Sequence, residues 1–378
     1  MRPIYLDYNA TTPVDSAVAA AMQPYIVEHF GNPSSSHSYG LAAKRAVEEA
    51  RTQVAEMLGC NRECVVFTSG GSESNNHALK GVASARRSQG KHIITSAIEH
   101  PAVTEVCRHL TDGGFDVTYV PVDEHGLVDP ADVADSVRPD TILISVMHAN
   151  NEVGTVEPIA EICAIARRHG IIVHSDCAQS VGKLPVHVDE LGVDLLSIAG
   201  HKAYAPKGVG ALYVREGVGL DKLIHGADHE RGRRAGTENV SQIVGLGRAC
   251  ALVTEGLARH TAHLSAMRDR LELGLSRRVA DIVVNGHPQR RLPNTSSISF
   301  GGLLAAELLA AVPGVAASAG AACHSDGTAV SSVLDAMGST PERALGTVRF
   351  SVGRPTTQGE IDAAVEMVAQ AVADLRSR

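Results

Sequence analysis

Three short segments carry side chains that together suit the binding and activation of one ligand. The first is the turn Gly70-Gly71-Ser72, which lies between a predicted strand and a predicted helix. Its backbone N–H groups, the Ser72 hydroxyl and the helix N-terminus suit a phosphate group. The turn lacks the Gly-Lys-Ser/Thr of a Walker loop. Taken alone, it is equally an ordinary glycine-rich turn.

The other two segments carry Asp176 and Lys202, each at the end of an apolar run. Ligands of open α/β sheets bind outside the carboxyl ends of the strands, so the two side chains are expected to converge. Alone, Asp176 could cap a helix and Lys202 could be a solvated surface charge. A phosphate cup, a carboxylate for a ring nitrogen and a lysine for an aldehyde are what pyridoxal 5'-phosphate needs. The combination therefore predicts a pyridoxal phosphate site.

Alternating strands and helices position these segments. We predict strands at residues 65–68, 92–95, 116–120, 141–146, 171–174 and 195–198, and helices at residues 74–85 and 159–169. The strands are apolar on both faces, as a parallel sheet covered by helices requires. The pattern predicts a three-layer α/β domain.

The pattern changes after about Gly245. A long helix is expected over residues 240–279, broken once, followed by strands at 282–284, 297–300 and 348–351 and a helix at 358–375. This part reads as a smaller α+β domain. We predict a large cofactor-binding domain of residues 15–255 and a small domain of residues 1–14 and 256–378.

Composition excludes several functional classes. The 378 residues are 44% hydrophobic and carry 34 Lys and Arg against 42 Asp and Glu, a net charge of -8. Direct nucleic-acid binding is not expected from this balance, and no apolar run is long enough for a membrane span. The start of the chain lacks signal-peptide features. The 7 cysteines form no regular framework, which favours free thiols, a reducing compartment and the cytoplasm. No metal site is predicted.

With these motifs in view, the chain resembles the cysteine desulfurases of the NifS/IscS kind, within the class V aminotransferase superfamily of fold-type-I pyridoxal phosphate enzymes. The resemblance covers nearly the whole chain. The matching segments are residues 5–13, 30–34, 98–100, 148–154, 229–232, 234–237, 320–323 and 348–354. The resemblance implies the fold-type-I transferase fold, with a large and a small domain.

The resemblance also implies roles for four residues around the cofactor ring. Lys202 would hold the cofactor as a Schiff base, and Asp176 would pair with the protonated pyridine nitrogen. Gln179 would hydrogen-bond the phenolic oxygen. His100 would stack on the ring and act as an acid or base. Without the family context, His100 reads as a capping or core histidine.

For the cofactor phosphate, the resemblance implies Gly71, Ser72 and His201 as ligands. Thr237 matches a residue that reaches the phosphate of the partner subunit, which implies a homodimer. Ala199 stands where many desulfurases have a serine. One phosphate contact is therefore absent, and this feature is similar to animal selenocysteine lyases.

Two further residues, Asn151 and Arg349, match those that hold the substrate carboxylate, and a guanidinium fork suits a carboxylate. Without the resemblance they read as a turn asparagine and a surface arginine. Cys323 matches the family's nucleophile. Glycine and small residues around it predict a mobile loop, and His324 would help to keep the thiolate.

The sequence thus predicts a cysteine desulfurase that converts L-cysteine to L-alanine and leaves a persulfide on Cys323. A sulfur-acceptor protein would take that sulfur for iron-sulfur clusters, thiolation or DNA phosphorothioate modification. Two alternatives stay open at this point. One is a selenocysteine lyase, and the other is a sulfur-relay protein whose acceptor binding matters more than its turnover.

Overall fold

The structure is a computed structural model that describes residues 2–319 and 330–377. The strands are β1 (Ile4–Tyr5), β2 (Val65–Thr68), β3 (His92–Ser96), β4 (Asp116–Val120), β5 (Thr141–Ser145), β6 (Ile172–Asp176), β7 (Leu195–Ala199), β8 (Gly210–Val214), β9 (Ile282–Asn285), β10 (Thr295–Phe300), β11 (Val315–Ala316), β12 (Ser318–Ala319) and β13 (Thr347–Ser351). The helices are α1 (Ser16–Met22), α2 (Pro24–Val27), α3 (Ser38–Leu58), α4 (Gly71–Ala85), α5 (Pro101–Asp112), α6 (Pro130–Asp135), α7 (Ile159–His169), α8 (Val188–Leu191), α9 (Val240–Arg278), α10 (Ala305–Ala311), α11 (Ser332–Ala336), α12 (Pro341–Leu345) and α13 (Gln358–Arg376). Short 3-10 turns lie at Arg62–Cys64, Gly200–Lys202 and Glu230–Gly232.

A 7-stranded sheet in the order β2-β8-β7-β6-β5-β3-β4 forms the centre of the larger unit. The strands from β4 across to β7 pair in parallel, which confirms the predicted α/β sheet. Strand β8 was not predicted, and it runs antiparallel to both β2 and β7. The carboxyl ends of β6 and β7 therefore lie side by side at one edge of the sheet.

Helices cover both faces of this sheet because its strands are apolar on both sides. Residues of α1, α3, α7 and the first part of α9 join one buried cluster, and residues of α4 and α5 join the cluster on the other face. Every residue of β3, β5, β6, β7 and β8 is buried. The result is the expected three-layer arrangement.

The smaller unit is built on a 4-stranded sheet in the order β12-β13-β10-β9, whose pairings are antiparallel. Strand β1 pairs in parallel with β11. Leu6 joins Phe300 and Phe350 in one buried cluster with residues of α13 and of the later part of α9. The segment after β1 therefore packs with the C-terminal strands, far away in sequence.

Helix α9 is continuous over 39 residues, so the predicted break in it is wrong. Its glycines mark close helix contacts instead of a break, since a Cβ on Gly247 would lie 2.6 Å from the Cα of Ala50. Its apolar residues also continue at helical spacing from Leu264 to Leu275, where they join the small-domain core. The predicted domain boundary at residues 255 and 256 falls inside this helix and stays a prediction.

Two further observations concern the described part of the chain as a whole. None of the helices within residues 2–319 and 330–377 is both long and apolar enough to cross a membrane. The six cysteines in the same ranges are free thiols, and all except the half-buried Cys60 are buried. Cys323 lies outside the described residues.

Candidate active site

A cavity of about 230 Å³ lies at the carboxyl ends of β6 and β7. Its walls come from several separate segments of the larger unit and from the segment after β1. They are Ala10, Gly71, Ser72, Asn75, His100, Ala102, Met147, Ala149, Asn151, Asp176, Ala178, Gln179, Ala199, His201 and Lys202. Eight of the predicted site residues therefore meet at one cavity. Arg349 and Thr237 are not among the residues that line it.

The turn at Gly70 and Gly71 shapes one part of the wall. Gly70 has φ of 153°, a conformation that L side chains rarely adopt, and Gly71 begins the 15-residue helix α4. A Cβ on Gly71 would lie only 3.1 Å from the Cβ of Ala199. The first turn of α4 thus presents backbone N–H groups to the cavity without a side chain in front of them. This arrangement suits a phosphate.

Asp176, the last residue of β6, is held by two hydrogen bonds in a nearly buried position. Its Oδ2 accepts the Asn75 side-chain N–H at 2.6 Å, and its Oδ1 accepts the backbone N–H of Ala178 at 2.8 Å. The two contacts fix the orientation of the Asp176 carboxyl group. Sequence reasoning missed Asn75. The available signal was its position one helical turn after Gly71, which puts both residues on one face of α4.

His100 both caps a helix and lines the cavity. Its Nδ1 accepts the backbone N–H of Ala102 at 3.1 Å at the start of α5. Burial lowers the pKa of His100, the Lys202 cation lowers it further, and Asp176 acts in the opposite direction. Because Nδ1 accepts a backbone N–H, Nε2 is the ring nitrogen that carries a proton. His100 therefore caps a helix, as expected without the family context, and also lines the cavity.

Lys202 and His201 lie on the 3-10 turn that follows β7. Burial, with the neighbouring Lys202 and Lys207 cations, lowers the pKa of His201 to about 4. Its Nδ1 lies 3.1 Å from the hydroxyl of Thr11. A neutral His201 can therefore serve as a hydrogen-bond donor to an anion through one ring nitrogen.

Gln179 reaches the cavity from the segment after β6. Its Nε2 donates to the backbone carbonyl of Asn9 at 3.1 Å, and its Oε1 accepts from Lys183 Nζ at 2.7 Å. The Gln179 side chain is thus fixed by contacts to two residues that do not line the cavity.

Arg349 lies next to Asn151 and does not itself line the cavity. One guanidinium nitrogen donates to the Asn151 carbonyl at 3.0 Å, and another donates to Asp7 Oδ1 at 2.8 Å. The Arg349 Nε is buried and has no hydrogen-bond partner within the described ranges. The charge of Arg349 therefore lies immediately behind Asn151 and is balanced by Asp7.

Thr237 lines a different pocket, together with Ser69 and Gly208. The segment before it is attached by two ion pairs. Arg51 binds Glu230 through two hydrogen bonds of 2.6 and 2.9 Å, and Arg234 binds Glu73 at 2.9 and 3.2 Å. Thr237 is therefore fixed outside the cavity that Asp176 and Lys202 line in the same subunit.

The donor set of the cavity fits pyridoxal phosphate. A hydrogen-bonded carboxylate suits a protonated ring nitrogen, a helix N-terminus behind a glycine suits a phosphate, and a lysine suits an aldehyde. The Oδ1 of Asn75 is also buried without a partner among the described residues, as expected for a site shaped for a ligand. Within residues 2–319 and 330–377, no group of three or more His, Cys, Asp or Glu is placed to hold a metal ion.

Comparisons with known proteins agree with this geometry. The chain matches the aminotransferase class-V family over residues 4–364. It is 46% identical over 378 residues to the cysteine desulfurase IscS of Dictyoglomus turgidum, covering 100% of this chain and 96% of the relative. It is likewise 46% identical to IscS of Methanosarcina thermophila, covering 100% of this chain and 93% of the relative.

Solved structures give the same result. A NifS-like protein superimposes with a TM-score of 0.93 at 37% identity, covering 99% of this chain and 100% of the other. The structure of SspA in complex with cysteine gives a TM-score of 0.83 at 37% identity, covering 93% and 99%. DndA from Streptomyces lividans gives 0.78 at 38% identity, covering 92% and 99%. With a family match over most of its length and full-length relatives of this similarity, the chain belongs to the class-V aminotransferases and, within them, to the cysteine desulfurases.

Proposed function

We propose that this protein is a pyridoxal phosphate-dependent cysteine desulfurase, which converts L-cysteine to L-alanine and leaves the sulfur as a persulfide on Cys323. The observation that carries the proposal is the cavity at which Asp176, His100 and Lys202 meet the N-terminus of α4. The full-length similarity to IscS proteins supports the same reaction.

The cofactor supplies an electron sink that makes the Cα–H bond of a bound amino acid acidic. Asp176 would hold the N–H of the ring nitrogen, and the Asn75 and Ala178 N–H groups fix the orientation of its carboxyl group. The Lys202 amine moves the proton at Cα. His100 offers its Nε2 N–H to the cavity, because its Nδ1 is occupied by a backbone N–H.

Asn151 and Arg349 would bind the carboxylate of the substrate. Asn151 lines the cavity, and Arg349 contacts the carbonyl of Asn151. A cation directly behind the wall attracts the amino acid's carboxylate, while Asp7 limits the net charge there. This arrangement supports an α-amino acid as the substrate class.

Cys323 would attack the sulfur of the substrate as a thiolate, so that the carbon–sulfur bond breaks and a sulfur–sulfur bond forms. The described residues on both sides of residues 320–329 support this role. Strand β12 pairs with β13 at Arg349, and the Ser331 hydroxyl donates to Glu152, the neighbour of Asn151. Both flanks are thus attached beside the residues proposed for the substrate carboxylate.

We further propose a homodimer in which Thr237 contributes to the cofactor phosphate of the partner subunit. Thr237 does not line its own cavity. Large apolar side chains are also exposed together on one stretch of the chain, namely Ile26, Val27, Phe30, Tyr39 and Leu41. Such a patch is typical of an interface. The persulfide would pass to a sulfur-acceptor protein, and the free thiols of the described residues fit the reducing cytoplasm.

The test is a brief reaction of the pyridoxal phosphate-loaded protein with L-cysteine, followed by peptide mass spectrometry and alanine analysis. The Cys323 peptide should gain one sulfur atom, about 32 Da. Cys323→Ser should keep the bound cofactor and lose persulfide and alanine formation. Cys60→Ser is the matched control and should remain active, since burial raises the pKa of that thiol to about 12.

A sulfur label on another cysteine, or full activity of Cys323→Ser, would contradict the proposal. Turnover of L-selenocysteine with negligible turnover of L-cysteine would instead indicate a selenocysteine lyase. Absence of alanine with either substrate would favour a sulfur-relay protein.

A further inference from the structure

Lys183 is a buried amine next to the candidate active site, and no step of the proposed reaction uses it. Only 5% of the residue is exposed. Its Nζ donates to Gln179 Oε1 at 2.7 Å and to Asn9 Oδ1 at 3.2 Å. Both partners are themselves buried. Burial of a lysine amine is costly unless it is hydrogen-bonded, and here the amine bonds to two amide oxygens.

These contacts set the orientation of the Gln179 carboxamide. The Gln179 Nε2 donates to the backbone carbonyl of Asn9 at 3.1 Å, while Oε1 faces Lys183. Rotation of the amide by half a turn would put two oxygen acceptors, Gln179 Oε1 and the Asn9 carbonyl, against each other. One Nε2 hydrogen is used by Asn9, and the other is left for the cavity that Gln179 lines.

Asn9 is in turn fixed by residues of strands β10 and β13 and by Asn294 just before β10. Its Oδ1 accepts from Asn294 Nδ2 at 2.9 Å, and its Nδ2 donates to the Thr295 hydroxyl at 2.8 Å. The Ser351 hydroxyl accepts the backbone N–H of Asn9 at 2.9 Å. Asn9 is thus held in place. The hydrogen bond from Lys183 then fixes the rotation of the Gln179 amide.

The surroundings of Lys183 disfavour the charged form of its amine. Burial lowers the pKa of Lys183 well below its usual value, and the Lys202 and Arg349 cations lower it further. Tyr8 and Tyr204 line the small cavity beside it. A neutral amine has two N–H groups, which matches the two amide oxygens it contacts.

We propose that Lys183 is a positioning residue, which holds the Gln179 carboxamide so that one Nε2 N–H is presented to the phenolic oxygen of pyridoxal phosphate. This inference rests on the proposed function, because it takes the cofactor to be bound in the cavity. An N–H donated to the phenolic oxygen stabilises its anion and thereby lowers the pKa at which the visible absorption band of the bound cofactor titrates. Loss of the donor should raise that pKa.

The experiment is a double-mutant cycle on the cofactor-loaded protein with Lys183→Met, Gln179→Leu and the double variant. Absorbance spectra are recorded against pH, and cofactor affinity is measured from the same band. Each single variant should raise the pKa of the band and weaken cofactor binding about fivefold, as expected for one lost hydrogen bond. In the Gln179→Leu background, Lys183→Met should cause no further change.

Additive shifts in the double variant would overturn the proposal, since Lys183 would then act by its charge through space or by general packing. An unchanged spectrum and affinity for Lys183→Met would overturn it as well. If Lys183→Met does not fold, Lys183→Ala, which also removes the N–H donor, is measured in the same two backgrounds by the same criterion. Failure of the unmodified protein to bind pyridoxal phosphate would contradict the proposed function and not this inference alone.

Discussion

Asn75 and Asp176, on a helix and a strand that are remote in sequence, share a hydrogen bond of 2.6 Å inside the cavity wall. The Asp176 carboxylate has one further donor, the Ala178 N–H. Asn75 therefore helps to set the direction in which the Asp176 carboxyl group points.

We expect Asn75→Ala to bind pyridoxal phosphate and to produce alanine from L-cysteine about 10- to 100-fold more slowly, the effect of losing a hydrogen bond to a charged group. Alanine release under saturating cysteine measures it. Asn76→Ala is the matched control, because the Asn76 side chain bonds to the Ser72 carbonyl and does not line the cavity. Equal rates for the two variants would show that Asn75 does not orient Asp176.

Lys202→Ala should abolish alanine formation and remove the visible absorption band of the bound cofactor, because the amine that binds the aldehyde is gone. Absorbance spectroscopy and the alanine assay measure both effects. The control is Lys207→Ala, a change at an exposed lysine on the same loop. Turnover by the Lys202→Ala protein would mean that another amine binds the cofactor aldehyde.

The Arg51–Glu230 pair should be important for stability. Its side chains are 4% and 2% exposed, and it supports a turn in which Glu230 and Arg231 have φ of 48° and 57°. Arg51→Met leaves the Glu230 charge buried without its partner and should lower the free energy of unfolding by about 3–5 kcal/mol. Denaturant unfolding measures the loss. Asp362→Asn, which breaks an exposed ion pair with Arg270, should leave the midpoint unchanged.

The pH dependence of stability should reveal the buried carboxyl of Glu157. Burial raises the pKa of Glu157 to about 8, whereas an unfolded glutamate titrates at about 4.3. The folded state keeps a proton that the unfolded state releases, so stability falls as pH rises through this window.

Glu157→Gln removes that loss. Relative to the unmodified protein, its unfolding free energy should rise by on the order of 3 kcal/mol between pH 5 and pH 8.5. Urea unfolding at the two pH values measures the change. Glu161→Gln on the exposed side of α7 is the control. A pH-independent difference for Glu157→Gln would contradict a protonated Glu157.

The exposed apolar patch gives a test of the homodimer. Phe30 is 73% exposed and lies 5.6 Å, centroid to centroid, from the ring of Tyr39. Phe30→Asp should shift the protein from dimer to monomer in sedimentation and should lower activity with it, because Thr237 would no longer reach a partner's site. Leu273 is also an exposed apolar residue, but it lies on α9, and the Leu273→Asp protein should remain dimeric. A monomeric unmodified protein with full activity would rule the homodimer out.

The local patterns of the sequence were sufficient for the sheet and for most of the cavity. Apolar runs that stop at Gly70, Asp176 and Lys202 predicted strands, and parallel strands bring their carboxyl ends together. Strand β8 was missed, and its direction was not predictable in this way, because an apolar run looks the same in a parallel and an antiparallel pair. The uninterrupted α9 depends on contacts such as Gly247 against Ala50, which no local window contains.

The site contacts that the sequence did not predict also join residues that are far apart in the chain. The bond between Asn75 and Asp176 joins residues 101 positions apart, and the ion pair of Asp7 with Arg349 spans 342 positions. Neither spacing leaves a periodic signal. Nothing in the local sequence around Lys183 indicates that its amine contacts Gln179 and Asn9.

The pairing of the segment after β1 with strand β13 has a consequence for synthesis on the ribosome. The sheet and the residues that line the cavity are complete once Lys202 and β8 have emerged, whereas Leu6, Asp7 and Asn9 must wait for partners at Phe350, Arg349 and Ser351. Domains generally fold as units during translation. The proposed cofactor pocket can therefore form on a nascent chain that still lacks Arg349, so that the growing chain would acquire its cofactor site before its substrate site is complete.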